Sequence, residues 1–291
     1  MATNHILAPG AGSEHAAEVQ AGARFEFGKN WANFLRLLTE ERIANSESAL
    51  RKMLGVTTLK GCSFLDIGSG SGLSSLAARR LGAAVYSFDY DPSSVACTNE
   101  LRRRYFPDDS TWTVEQGSAL DMSYLSTLGS FDVVYSWGVL HHTGKMWEAL
   151  DNVHHLVAPG GQLFVAIYND QGSKSTRWLL AKRIYNWLPR LLKKPWAVIA
   201  ILPREFKAGL SATVRGRLSE YVRGWYRVDE TRGMDFWHDV IDWVGGYPYE
   251  YAAADEIFVF YRDRGFNLVN LHCKGAGLGC IEYVFSRVHS G

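Results

Sequence analysis

The stretch Phe64-Leu65-Asp66-Ile67-Gly68-Ser69-Gly70-Ser71-Gly72-Leu73 decides the fold. Small and apolar residues (Cys62, Ser63, Phe64, Leu65) lead in, and a helix-like segment runs from Leu73 to Leu81. The passage reads as strand, tight loop, helix. Glycines at 68, 70 and 72 leave no Cβ on the turn, so the backbone can approach a ligand and adopt positive φ. Such a loop offers helix N-terminal amides to whatever sits above it. Asp66, two residues before the first glycine, narrows the chemistry. A carboxylate there repels a pyrophosphate and suits a ligand carrying an ammonium group. The spacing Asp-x-Gly-x-Gly-x-Gly is also not the G-x-G-x-x-G of dinucleotide binders.

Outward from this loop the chain alternates strand and helix from Lys60, which predicts an α/β, Rossmann-like doubly wound sheet. Strands are expected over 63–67, 84–89, 112–115, 131–137, 163–168, 266–272 and 281–287, with a helix over 256–264. Pro159-Gly160-Gly161 reads as the turn before the fifth strand. Upstream, residues 1–23 are small and polar without a period and read as a loose arm. Phe25, Phe27 and Trp31 then cluster, helical spacing follows at Trp31, Phe34, Leu35 and Leu38, and Gly55 closes a second helix over about 40–54. Phe27 and Trp31 are either core residues or a flap over the glycine loop. The expected domains are an N-terminal arm with cap helices (1–55), a cofactor-binding α/β domain (56–170 plus 251–291) and a helical insertion (171–250) that forms a substrate lid over the carboxyl rim.

The 291 residues suffice for one sizeable core plus a subdomain, and the net charge of +1 argues for no particular partner. Cys62, Cys97, Cys273 and Cys280 form no C-x-x-C pair, so neither a zinc site nor a disulfide framework is indicated. No secretory signal is evident at the N-terminus and no apolar run approaches the ~20 residues that span a bilayer. The expectation is a cytoplasmic protein. Six of the ten Trp fall in the insertion, at 178, 187, 196, 225, 237 and 243. Its first part is strongly basic. Trp178, Ala181, Tyr185 and Leu188 share a helical stripe, and Lys182 and Arg183 are expected to face outward. The basic face is read either as a solvated helical cap or as a surface for anionic lipid headgroups or an acidic substrate. No nucleic-acid module is recognisable, and a homodimer interface is the other use open to the insertion.

Further pieces stand at the strand ends, where open parallel sheets bind ligands. Asp89 ends the second strand, where an acid can take both hydroxyls of a ribose. Asp91 or Ser93 beside it suits a helix N-cap. Ser118-Ala119-Leu120 and Asp121 follow the third strand. Trp137, His141 and His142 follow the fourth, and Tyr168 and Asn169 end the fifth.

With this set in order, the chain resembles the class I S-adenosylmethionine-dependent methyltransferases, most closely the small-molecule branch that includes the ubiquinone-pathway methylases. The resemblance covers about 60–170 and rests on the glycine loop with Asp66, on Asp89, and on Val157-Ala158-Pro159-Gly160-Gly161. It implies a seven-stranded sheet with the last strand antiparallel, and S-adenosyl-L-methionine as cofactor. It implies that Asp66, Gly68, Ser69 and Gly70 hold the methionine moiety, that Asp89 with Tyr90 holds the ribose, and that Ser118, Ala119 and Leu120 border adenine. Many relatives have an acid where Ser118 stands, so Asp121 is the alternative adenine ligand. No family pattern matches the insertion, so the acceptor is not carried over.

Methyl transfer from a sulfonium is an in-line displacement that needs alignment and, for a hydroxyl acceptor, removal of a proton. Phe27, Trp31, Trp137 and Tyr168 are candidate aromatic walls for the cation. His141 and His142 are candidate bases. A second cluster, Asp235, His238, Asp239 and Asp242 with Glu250, reads as a base-orienting set, a divalent-metal site or a solvated helix face. No metal is expected. Trp237, Asp242, Tyr247 and Tyr249 are expected to line the acceptor pocket beside Tyr168 and Asn169, with Gly245-Gly246 supplying a sharp turn. The expected activity is methylation of a small molecule at O or N. The alternatives are non-methyl chemistry on the same cofactor, a nicotinamide oxidoreductase, which the glycine spacing disfavours, and a non-catalytic binding protein.

Overall fold

Along β1 (Ser63–Ile67) successive side chains point to opposite faces, and each face finds its own core. Phe64 joins a cluster with Leu76, Leu101 and Trp112, while Leu65 and Ile67 join one with Val134, Leu150 and Val165. Burying each such side chain is worth about 1.5–3 kcal/mol, so the two layers fix the register of the strand. The computed structural model describes residues 11–224, 236–273 and 279–288. Before β1 come α1 (Ala11–Gln20), α2 (Gly28–Arg36) and α3 (Glu40–Leu54). After it come α4 (Leu73–Arg80), β2 (Ala84–Asp89), α5 (Pro92–Tyr105), β3 (Trp112–Gln116) and α6 (Met122–Leu125). Next are β4 (Phe131–Trp137), a 3₁₀ turn at Leu140–His142, α7 (Met146–His154) and β5 (Val157–Tyr168). Four inserted helices follow: α8 (Ser173–Trp187), α9 (Arg190–Val214), α10 (Leu218–Gly224) and α11 (Phe236–Gly245). The chain closes with α12 (Ala254–Arg262), β6 (Phe266–Cys273) and β7 (Cys280–Arg287).

The seven strands run in the order β3-β2-β1-β4-β5-β7-β6. β1 to β5 pair in parallel, and β7 is antiparallel to both its neighbours. This is the Rossmann-like sheet with an antiparallel last strand. The strand order reverses between β1 and β4, so the crevice that binds ligands in such sheets opens over their carboxyl ends.

Three local expectations are corrected. Residues 11–20 of the supposed loose arm form α1, anchored through a polar contact: His15 is buried with Nε2 3.8 Å from the Asp91 carboxylate. β5 starts at Val157 rather than Leu163. Phe131 pairs with Val157 and Val133 with Gln162, so Pro159-Gly160-Gly161 is a bulge inside the strand, not the turn before it. Lys182 is buried instead of facing outward: its ammonium donates to the Trp243 carbonyl and lies 4.9 Å over the Tyr249 ring.

The insertion is helical across its described residues and has a core of its own around Tyr185, Ala197, Ile201, Val240 and Val244, with Phe25 packed against it. Its neck is tied to the sheet. Asn169 bridges Ala252, Asp170 N–H donates to Ala252 O at 2.9 Å, and Glu250 N–H donates to His141 O at 2.9 Å. The inserted mass therefore hangs beside the carboxyl rim. α11 ends at Gly245, and neither Gly245 nor Gly246 needs a positive φ to leave it. Gly245 is needed for a different reason: a Cβ on it would stand 2.5 Å from the Phe25 ring.

Candidate functional site

A cavity of about 2150 Å³ opens over the carboxyl ends of β1 to β4. Its floor is the glycine loop. Gly68 has φ +75°, and a Cβ there would meet the Val139 side chain at 2.4 Å, so no other residue fits. Three of the loop amides bond within the fold rather than facing a ligand. Gly68 and Ser69 N–H both donate to Phe88 O (2.8 and 3.2 Å), and Gly70 N–H donates to the Asp89 carboxylate at 2.9 Å. With these donors spent inside the fold, the loop offers close backbone approach without a phosphate site.

Asp89 is set by two backbone donors, Gly70 N–H on Oδ2 and Asp91 N–H on Oδ1, both at 2.9 Å. Each oxygen keeps lone-pair capacity toward the cavity, an arrangement that fits a vicinal diol. Loss of hydration raises its pKa to about 6, opposed by the two N–H groups, and its partial exposure to the cavity softens that shift. Asp66 lies deeper. Trp112 Nε1–H donates to Ser87 Oγ (3.0 Å), Ser87 and Ser75 hydroxyls share a 2.8 Å bond, and Ser75 donates to Asp66 Oδ2 at 2.5 Å. Burial raises the Asp66 pKa to about 7, against the Ser75 hydrogen bond.

This shift has a testable sign. A carboxyl whose folded pKa is raised favours folding when neutral, so its contribution is full below the ordinary value near 4 and is lost as pH rises through about 7. Asp66→Asn should therefore gain melting temperature relative to the parent between pH 5 and 8, with the two proteins converging at lower pH. Parallel thermal melts would show this, and a pH-independent difference would contradict it.

The rim is covered by the N-terminal segment. Gly28 N–H donates to Asp91 Oδ2 at 2.8 Å, and a Cβ on Gly28 would stand 2.6 Å from that oxygen. Asp91 also caps α5 through Ser93 N–H. Trp31 lies on Gly70, its indole 3.2 Å from where a Cβ would be, and also packs on Phe34. Arg24 donates to His142 O at 3.0 Å, holds Glu18 at 2.6 Å and covers the Tyr90 ring at 4.9 Å. Phe27 meets the His142 ring at 5.0 Å. Phe25 N–H donates to Tyr247 O at 2.8 Å, so it is Phe25 that joins this flap to the insertion.

The two histidines have different places. His142 lines the cavity, and its Nδ1 lies 2.5 Å from Pro248 O. A carbonyl only accepts, so Nδ1 carries the proton and Nε2 is the ring's acceptor. Burial and the Lys182 and Arg24 cations hold its pKa down to about 3, so it is neutral at working pH. His141 is fully buried under Tyr168 (ring centroids 4.0 Å apart), accepts from Tyr168 N–H at 3.4 Å and does not line the cavity. Burial first, then His142 and Lys182, hold its pKa well below the usual value.

All the residues expected at the cofactor, from Phe27 and Trp31 through Asp66, Gly68, Ser69, Gly70, Asp89, Tyr90, Ser118, Ala119 and Leu120 to Trp137, line this one cavity. Ser118 Oγ accepts from Leu120 N–H and Asp121 caps α6, so both side chains also serve local turns. Tyr168 lines the cavity, but Asn169, Tyr247 and Tyr249 do not. Asn169 is spent on the insertion neck, Tyr247 presents its carbonyl to Phe25, and Tyr249 is buried behind Tyr168 at 5.1 Å. The expectations at Trp237, His238 and Asp242 lie outside the described side chains. Glu250, assigned to that cluster, instead receives Met146 N–H at the start of α7. Among the described residues no cluster of His, Cys, Asp or Glu could hold a metal.

Residues 65–163 match the sequence profile of a family described as a methyltransferase domain. This stretch, about a third of the chain, is thus similar to a methyltransferase domain. The ubiquinone biosynthesis O-methyltransferase of Sinorhizobium fredii is 30% identical over 141 residues, which is 45% of this chain and 52% of that protein. The demethylmenaquinone methyltransferase of Tropheryma whipplei is 29% identical over 194 residues, covering 66% of this chain and 70% of its own. The match to the first thus spans about half that relative's length. Among solved structures, the magnesium protoporphyrin IX methyltransferase of Synechocystis PCC 6803 with bound SAH superposes with a TM-score of 0.52 at 13% identity, over 89% of this chain and 94% of that one. That likeness concerns the fold.

Sequence reasoning missed Trp243 and Arg24 in the cavity wall. Trp243 belongs to a helix whose place over the rim depends on tertiary packing. Arg24 stood next to the aromatic cluster that was singled out, and its charge beside three aromatics was the available signal.

Proposed function

We propose that this chain transfers a methyl group from S-adenosylmethionine to a small-molecule acceptor, with a hydroxyl as the acceptor group ahead of an amine. The cavity fits this cofactor better than a dinucleotide. The Gly68, Ser69 and Gly70 amides are spent inside the fold rather than on a pyrophosphate, Asp89 is oriented for a diol, and the buried Asp66 carboxyl suits a cationic ligand. Asp66, Gly68 and Gly70 would hold the methionine part, Asp89 the ribose, and the segment at Ser118 to Leu120 the adenine. When bound, the cofactor supplies an electrophilic methyl group.

The observation that carries the hydroxyl reading is the tautomer of His142. A neutral imidazole with Nδ1–H fixed on Pro248 O presents Nε2 as an acceptor, which recognises an O–H and takes its proton. Phe27, Tyr168 and Trp243 give the adjoining walls an apolar, aromatic character that excludes water and suits a planar acceptor. The relative named ubiquinone biosynthesis O-methyltransferase, whose name specifies transfer to oxygen, supports the reading. Incubation with S-adenosylmethionine and a panel of phenols and amines tests it. Mass spectrometry should find S-adenosylhomocysteine together with a phenol one methyl group heavier. Methylthioadenosine without a methylated product would place the chemistry in alkyl transfer instead, and methylation of amines alone would overturn the hydroxyl assignment.

A further inference from the structure

The insertion carries a surface that the cavity does not use. On α9, Leu191, Ile199, Leu202, Phe206, Leu210 and Val214 are 57–90% exposed. The last five are spaced three or four residues apart, so they share one face. The opposite face, with Ala197 and Ile201, is buried against Tyr185, Val240 and Val244. Apolar side chains of this size rarely line up in water on a monomeric protein without a partner. Trp187, 84% exposed, extends the patch just before α9. The helix is basic outside this face. Between residues 190 and 217 there are seven Lys or Arg and one acid, Glu205, although the whole chain has a net charge of only +1. Arg190, Lys194, Arg204, Lys207, Arg215 and Arg217 are exposed.

We infer that α9 lies flat on an anionic lipid bilayer surface, its apolar face among the acyl chains and the net positive charge of the helix drawing it to the headgroups. No helix of the described residues is long and apolar enough to cross a membrane, so the contact is interfacial. Charge decides the occupant. Two copies of this face brought together would set two basic helices against each other, whereas anionic headgroups offset that charge. Large apolar side chains and a Trp at the edge are what an interfacial helix needs. The contact also reaches the cavity wall: the Arg204 guanidinium lies 5.0 Å over the ring of Trp243.

Co-sedimentation of the full chain with vesicles tests this without reference to the cofactor or to turnover. The chain should partition onto vesicles containing phosphatidylglycerol and bind phosphatidylcholine vesicles about tenfold or more weakly, with the difference shrinking at high salt. The double substitution of Leu202→Asp with Phe206→Asp, both at exposed positions, should abolish the binding. Lys194→Glu with Lys207→Glu should weaken it about tenfold or more. Circular dichroism and melting curves establish that each variant is folded. Equal partition onto both vesicle types, or binding that survives Leu202→Asp with Phe206→Asp, would overturn the inference. So would a dimer seen by light scattering in the absence of lipid and dispersed by the same pair, which would assign the face to a second copy of the chain.

Discussion

Asp89→Ala is expected to weaken S-adenosylmethionine binding about 30- to 1000-fold. The replaced carboxylate would make two hydrogen bonds to the ribose, worth together about 2–4 kcal/mol because the acceptor is charged. The same change frees Gly70 and Asp91 N–H, but both donors border an open cavity where water can reach them. The loss should therefore appear in affinity more than in melting temperature. Asp89→Asn keeps the shape and one acceptor, so it should fall between the parent and Asp89→Ala. Calorimetry on the three folded proteins checks the order, and equal affinities would remove Asp89 from the site.

His142→Ala should reduce turnover of a hydroxyl acceptor about 100- to 10,000-fold while cofactor affinity stays within a few fold. His142→Gln should be nearly as slow, because its amide can still donate to Pro248 O but has no basic nitrogen. Steady-state kinetics on both variants separates this role from packing. If His142→Gln retains full turnover, the proton leaves by another route. His141→Ala is expected to act differently, through stability, since the ring is fully buried away from the cavity. The buried histidines also set an acid limit. His142 and His154 are held down to about 3 and about 4 by burial, so their neutral forms favour the fold. That stability is present above about pH 6.5 and is lost as pH falls below it.

The cofactor side of the site was legible because it is local in sequence. Each strand end delivers its own residues, and Asp66, the glycines and Asp89 declare themselves by position along a period-2 strand and a Gly-rich turn. The proposed acceptor side was not, because the cavity wall there is assembled across the chain from Phe27, His142, Tyr168 and Trp243. The histidine pair shows the limit well. Adjacent residues of one type, both plausible bases, are separated only by a 3₁₀ turn that aims one at the cavity and buries the other. Lys182 misled for a related reason. A lysine on a helix usually faces water, but here a carbonyl at the end of α11 and the Tyr249 ring receive it. α1 was missed because its sequence, AGSEHAAEVQ, has no apolar stripe and is held by His15 instead. The bulge in β5 was taken for a turn because Pro-Gly-Gly has the same local chemistry in both settings.

The central claim is that the rim over β1 to β3 holds S-adenosylmethionine through Asp89. Isothermal titration of S-adenosylhomocysteine into the parent protein, Asp89→Ala and the Leu202→Asp/Phe206→Asp double variant tests it most directly. The account predicts saturable one-to-one binding to the parent, the same affinity for the double variant, and a loss of about 30-fold or more for Asp89→Ala. Absence of binding to the folded parent, or unchanged affinity in a folded Asp89→Ala protein, would contradict it.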